Sequence, residues 1–226
     1  MGVMMVEMKT YYQDDYATII HGDCREVLPT LGKVDLVLTD PPYGIGWSKP
    51  LLADRNSRKH DGIQGDKDTS ARDEALRIAQ WKSAIVFGSF LTAFPVGVKQ
   101  VLIWGKPADS GIFGTVAGYR RDIEPIFLMG EFGKSTPKRS SILTAPAMFR
   151  GHAAAESGSH PHVKPVALCA ALIQGTDAQT ILDPFMGSGT TLRAAKDLRR
   201  KCIGIEIEEK YCEVAAKRLQ QEVLAL

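Results

Sequence analysis

The apolar runs of this chain are short, mostly continuous rather than alternating, and separated by stretches of helical periodicity. Residues 17–21, 34–40, 84–88, 101–104, 125–129, 180–183 and 201–207 read as strands. Continuous apolar strands suit a sheet covered on both faces, because neither face is left to water. Residues 70–80, 163–174, 190–198 and 208–225 read as helices, the last with Val214, Ala215, Leu219 and Val223 at helical spacing. This alternation predicts an α/β fold: an open, mostly parallel, twisted sheet of about seven strands with helices on both faces. The 226 residues suffice for a single domain with a full core. Two segments break the rhythm. Residues 44–68 are polar and carry charges of both signs; residues 130–159 are rich in Ser, Thr, Pro and Gly. Long loops in a compact domain are usually functional or disordered.

The run 34–39 ends in Asp40-Pro41-Pro42-Tyr43. That puts a carboxylate, a proline carbonyl and a flat ring at one strand tip, a set able to hold a planar group with an exocyclic amine. Alone, the four residues read equally well as a rigid turn with an aromatic plug. A second tip, Asp183-Pro184-Phe185-Met186-Gly187-Ser188-Gly189-Thr190, lies far downstream. Gly187 and Gly189 let backbone approach a ligand there, and Glu206 ends the next strand at an offset suited to ribose hydroxyls. A lone Gly-Ser-Gly would be a tight turn; Asp183 before it and Glu206 after it favour a nucleotide-like ligand. Neither a spaced dinucleotide fingerprint nor a Walker motif is present, so a nucleoside without phosphates is expected over a pyrophosphate.

Composition narrows the classes further. A net charge of +2 does not by itself mark a nucleic-acid binder. Cys24, Cys169, Cys202 and Cys212 form no CxxC pair, so neither a disulfide framework nor a zinc site is expected. His160 and His162 lack a carboxylate or cysteine at ligand spacing, so no metal is expected. No apolar run approaches a membrane span. Val6 departs from a myristoylation signal, and Glu7 and Lys9 interrupt any leader core. A cytoplasmic protein with reduced thiols is expected.

Taken together and in this order, these residues resemble an S-adenosylmethionine-dependent DNA amino-methyltransferase of the β arrangement, acting on adenine N6 or cytosine N4. Asp40–Tyr43 matches the family's catalytic motif, Asp183–Thr190 its cofactor glycine motif, and Glu206 its ribose-binding acid. His160-Pro161-His162-Val163-Lys164-Pro165 resembles the element that helps hold the methionine end of the cofactor. Gly22-Asp23, with neighbouring Cys24 and with Leu28 further on, resembles the adenine-contacting element. Trp104-Gly105-Lys106-Pro107 and Asp122-Ile123-Glu124 resemble weaker family strands. The match is strong over residues 17–43 and 160–219 and weaker over 84–130; Arg199-Arg200 stands where Gly-Arg is commoner.

The resemblance implies a permuted Rossmann-like sheet with cofactor and substrate pockets side by side. It implies that Asp40, Pro41, Pro42 and Tyr43 form the catalytic set, in which Asp40 and the Pro41 carbonyl accept the two amine N–H bonds and Tyr43 stacks on the base. It implies that Asp23, Cys24, His160, Lys164, Pro165, Asp183, Pro184, Phe185, Gly187, Ser188, Gly189, Thr190 and Glu206 serve the cofactor. The methyl then passes in line to adenine N6 of a base flipped from duplex DNA. Asp at the first motif position favours adenine; cytosine N4 is the alternative within the class. Amino methylation of RNA or of protein glutamine is a more distant one, since glutamine enzymes usually carry Asn at position 40. A binding module without catalysis is the alternative outside the class. No cysteine follows a proline, which disfavours a covalent cytosine-C5 route. Lys49, Arg55, Arg58, Lys59, Lys134, Lys138, Arg139 and Arg150 are candidate phosphate contacts in the two loops, and Trp47 and Phe149 candidate DNA wedges. A homodimer and a separate restriction endonuclease are further expectations. The recognised sequence and the biological role depend on loop side chains that motifs do not specify.

Overall fold

The computed structural model describes residues 9–45, 66–106, 115–116, 119–120, 122–133, 139–144 and 163–221. Its strands are β1 (Lys9–Gln13), β2 (Ala17–His21), β3 (Val34–Thr39), β4 (Trp81–Phe87), β5 (Val98–Gly105), β6 (Thr115–Val116), β7 (Tyr119–Arg120), β8 (Ile123–Gly130), β9 (Ile142–Thr144), β10 (Thr180–Asp183) and β11 (Lys201–Glu206). Its helices are α1 (Cys24–Val27), α2 (Ser70–Ile78), α3 (Val166–Gln174), α4 (Thr190–Asp197) and α5 (Glu209–Gln220), with a 3₁₀ turn at Leu28–Thr30. None is long and apolar enough to cross a membrane.

Nine strands form one sheet in the order β1-β2-β11-β10-β3-β4-β8-β5-β9, and β6 and β7 form a separate ribbon. The expectation of about seven strands falls short at both edges. β1 and β9 are edge strands without a long apolar run: β1 reads Lys-Thr-Tyr-Tyr-Gln, and β9 has only three residues. β9 also lies inside segment 130–159, which is therefore not loop throughout. β2, β11, β10, β3 and β4 pair in parallel, whereas β1 and β8 run against their neighbours.

Both faces of the sheet are covered, as the continuous apolar strands require. Within β3, Leu36 and Leu38 point to one face, where they pack with Leu168, Leu172, Leu192 and Leu219 of α3, α4 and α5. Val37 points to the other, where it packs with Val27, Leu28 and Leu76 around α1 and α2. The register of β3 on β10 is set by a polar clasp away from the site. Asp35 accepts hydrogen bonds from the Gln179 and Thr180 amides and the Thr180 hydroxyl, each at 2.9 Å. That register, Ile181 beside Leu36 and Leu182 beside Val37, brings Asp183 and Asp40 to one end of the sheet.

Candidate active site

Seven strands deliver residues to that end. In an open sheet, parallel strands present their carboxyl ends to the ligand crevice. β8 runs antiparallel to β4 and β5, so it presents its beginning instead. Glu124, second residue of β8, thus meets Asp40, just past β3, and Lys106, just past β5. One cleft of about 870 Å³ runs along this edge; its walls include Asp23, Asp40, Tyr43, Glu124, Asp183 and Glu206.

At the Asp40 end, four charges and a phenol interlock. The Lys164 ammonium lies 2.7 Å from Asp40 Oδ2, 2.9 Å from Glu124 Oε1 and 3.0 Å from the Tyr43 hydroxyl. The Tyr43 hydroxyl lies 2.6 Å from Asp40 Oδ1 and also meets Glu124 Oε1. Lys106 closes the set at 2.8 Å from Glu124 Oε2. The Lys164 ammonium also sits 5.4, 5.1 and 6.0 Å from the ring centroids of Tyr43, Phe87 and Trp104. Lys164 and Glu124 are each 7% exposed, whereas Asp40 keeps 26% of its side chain open. Burial works against charge on Lys164, but Asp40 and Glu124 more than offset it and raise its pKa. Burial alone would lift the Glu124 carboxyl; Lys164 and Lys106 hold it well below the usual range. The Tyr43 phenol is pushed far up by burial and by Asp40 and Glu124.

The other end is built on β10 and β11. Asp183 is buried, accepts the Thr39 hydroxyl at 2.7 Å and the Phe185 amide at 3.1 Å, and is pushed up to about 6 chiefly by burial. Thr39 precedes Asp40, so this one hydroxyl ties the two strand tips together. Glu206 accepts the Gly187 amide on Oε2 at 2.9 Å and the Glu208 amide on Oε1 at 2.8 Å. Each oxygen keeps accepting capacity beyond that one amide, so the carboxylate can take a vicinal diol at the cleft wall. Burial raises the Glu206 pKa, and the Glu208, Gly187 and Ile207 amides oppose the rise. Asp23 caps α1 through the Arg25 amide at 2.9 Å, and the Arg25 guanidinium clamps its carboxylate.

Several expected residues gather here and others do not. Asp40, Pro41, Pro42 and Tyr43 all line the cleft, as do Asp23, Cys24, Lys164, Asp183, Pro184, Phe185, Gly187, Ser188, Thr190 and Glu206. The ammonium of Lys164, expected beside the cofactor, makes its ion pairs with Asp40 and Glu124. Gly189 is outside the cleft lining. Its φ is +80°, and a Cβ there would lie 2.8 Å from the Ala215 Cβ, so this glycine lets the turn pack on α5. Ser188 and Thr190 accept from the buried Arg218 guanidinium at 3.4 and 3.0 Å, which holds the turn from behind. Pro165 is also outside the lining and precedes α3 as its cap. Arg139 is exposed and donates to the Ala171 carbonyl at 3.0 Å. His160, Lys49, Arg55, Arg58, Lys59, Lys134, Lys138, Arg150, Trp47 and Phe149 lie outside the described residues. Gly44 N–H donates to Asp66 Oδ1 at 2.7 Å, joining the two described ends of segment 44–68 at the cleft.

Sequence reasoning missed Glu124 and Lys106 as site residues. The signal was an acidic residue and a lysine bounding two apolar runs, Trp104-Gly105-Lys106 and Asp122-Ile123-Glu124. Their convergence needed the antiparallel reversal of β8.

A family profile described as DNA methylase, of the N6/N4 class, matches residues 133–217. The type II methyltransferase M2.LlaDCHI of Lactococcus lactis subsp. cremoris is 45% identical over an alignment of 261 residues, covering 97% of this chain and 94% of that protein. This chain belongs to the N6/N4 DNA methyltransferase family. M.HinfI of Haemophilus influenzae, also a type II methyltransferase, is 28% identical over 95% of this chain and 71% of its own length. Among solved structures, M1.HpyAVI in complex with SAM superposes with a TM-score of 0.61 at 26% identity, covering 90% of this chain and 100% of that one. The cytosine-N4-specific PvuII methyltransferase superposes with a TM-score of 0.70 at 15% identity, covering 97% and 92%, a likeness of fold. The methyltransferase fold thus accounts for both strand tips opening into one cleft.

Proposed function

We propose that this DNA methyltransferase transfers the methyl group of S-adenosylmethionine to adenine N6 of a base flipped out of duplex DNA. The observation that carries the reading is the pairing of tips. A carboxylate-proline-aromatic set at the tip of β3 is joined through Thr39 to Asp183 on neighbouring β10, and with the diol-suited Glu206 of β11, one strand further on, it opens into one cleft. At about 870 Å³ the cleft falls in the range typical of small-ligand sites, roughly 300–1,000 Å³.

The residues present fit S-adenosylmethionine at the β10–β11 end. Glu206 would take the ribose hydroxyls, and Asp23, Phe185 and the Gly187 backbone would border the nucleoside. When bound, the cofactor supplies an electrophilic methyl group on a sulfonium. The chain's own work lies at Asp40. The lone pair of an exocyclic amine is delocalised into the base ring, so the nitrogen is a weak nucleophile. Asp40 and the Pro41 carbonyl accept its two N–H bonds and draw it toward a tetrahedral shape, with the lone pair free for in-line attack. Tyr43, tethered through its hydroxyl, offers a ring face to the base. Extrusion of the base costs about a few kcal/mol, which contacts in the cleft offset.

Adenine rather than cytosine is favoured by Asp at the first position of the motif. The test is methylation of unmethylated duplex DNA by purified protein, followed by nucleoside mass spectrometry. N6-methyladenine supports the reading, N4-methylcytosine moves it to the other base, and no transfer by cofactor-loaded protein sinks it. Asp40→Ala is expected to abolish transfer, by at least about 1,000-fold, with cofactor affinity within about threefold by calorimetry. Retained transfer in that variant removes Asp40 from the role assigned here.

A further inference from the structure

The Asp40 end of the cleft holds more charge than the amine contact needs. Two ammonium groups, Lys164 and Lys106, face two carboxylates, Asp40 and Glu124. Of the two carboxylates, Asp40 keeps 26% of its side chain open to the cleft and Glu124 only 7%. Lys164 is sealed beneath it by the rings of Tyr43, Phe87 and Trp104. An ammonium so buried costs several kcal/mol unless its partners are well placed. It has two: Asp40 Oδ2 and Glu124 Oε1. Glu124 is in turn pinned by Lys106 on its other oxygen. The chain Lys106–Glu124–Lys164–Asp40 therefore runs from β5 through β8 and the segment before α3 to the tip of β3.

Resting on the amino-methyltransferase reading, we propose that Glu124 and Lys164 are positioning residues for Asp40. Glu124, fixed by Lys106, holds the Lys164 ammonium on Asp40 Oδ2. Asp40 is thereby kept in one rotamer, with a free face toward the substrate amine. Without Glu124, Lys164 has a single carboxylate partner and freedom to pull it away from the cleft. Without Lys164, Asp40 and Glu124 are like charges flanking one phenol. In both cases the carboxylate leaves the geometry that the amine requires while the cofactor end, joined through Thr39 and Asp183, is untouched. Among the described residues, the other titratable groups facing this cluster are Asp183 on β10 and Cys169 on α3, and neither contributes a cation.

The positions make a double-mutant cycle decisive. Glu124→Gln keeps the side-chain shape, and Lys164→Met keeps most of the volume. Each is expected to slow single-turnover methyl transfer to duplex DNA by about 100-fold, the scale of a small misplacement at a reacting centre. KM for DNA and the dissociation constant of S-adenosylmethionine should stay within about threefold, and Lys164→Arg should recover part of the rate. In the Lys164→Met background, adding Glu124→Gln should cost less than about threefold, because Glu124 acts through the lysine. Thermal melting of every variant separates slow transfer from unfolding. A full, multiplicative loss in the double variant overturns the proposal, as does a loss that falls on KM or cofactor affinity. A wild-type protein that binds cofactor but transfers nothing to DNA overturns the underlying reading as well. An active wild type with an additive cycle overturns the positioning couple alone.

Discussion

Asp183 shows how one buried carboxyl serves two tips. It is 3% exposed and receives the Thr39 hydroxyl and the Phe185 amide, and burial pushes it up to about 6 from an ordinary value of 3.8. A carboxyl raised in the folded state favours folding in its protonated form. That stability is complete below pH 3.8 and is lost as the pH rises through about 6. Asp183→Asn keeps an acceptor for Thr39 and cannot ionise. Its melting temperature is therefore expected to gain on the wild type between pH 4 and pH 8, by no more than about 3 kcal/mol of stability. Calorimetric scans at both ends of that window check this; a constant difference would mean that Asp183 stays charged throughout. Asp183 and Asp40 were legible because short motifs carry them beside their own turns. Glu124 was not, because its value depends on where another strand puts it, and the contacts of Lys164 with Asp40 and Glu124 were hidden for the same reason.

At the scale of elements, the glycine turn before α4 is built for packing as much as for ligand. Gly189 holds φ +80° with Ala215 of α5 against it. Gly189→Ala should cost about 2–4 kcal/mol, combining left-handed strain of roughly 1–2 kcal/mol with the close contact. Ala215→Gly should return only the contact part, leaving the strain, in urea titrations of the single and double variants. Past the other end of α4, Arg199 is the one described non-glycine residue with positive φ, at 54°. It closes the helix in a conformation that glycine adopts more readily, and its side chain is exposed. Arg199→Gly is expected to raise stability by about 0.5–1 kcal/mol, the usual gain when left-handed strain is relieved. A melting point lowered by that change would show that the arginine side chain outweighs its backbone cost. The inner strands and α2 to α5 were readable from periodicity. The edge strands β1 and β9 and four-residue α1 were not, because each buries too little apolar surface to leave a period.

As a whole, the molecule places its cleft across a continuous sheet, so ligand binding acts on the entire fold. S-adenosylmethionine at 100 times its dissociation constant should add about 2.7 kcal/mol, or roughly 5–10 °C of melting temperature, in a single transition. A transition that splits in two under cofactor would mean that the two strand tips unfold independently. The strand order carries one more consequence, for synthesis. β2 and β3 follow each other in the chain, yet β11 and β10 lie between them in the sheet. On the ribosome, the first two-thirds of the chain emerges with a gap in its centre and two unpaired inner edges. Those edges invite mispairing until the last strands are made. β10 and β11 must be made before the Asp40 and Asp183 tips exist as neighbours, so a nascent chain that ends before them has no cleft.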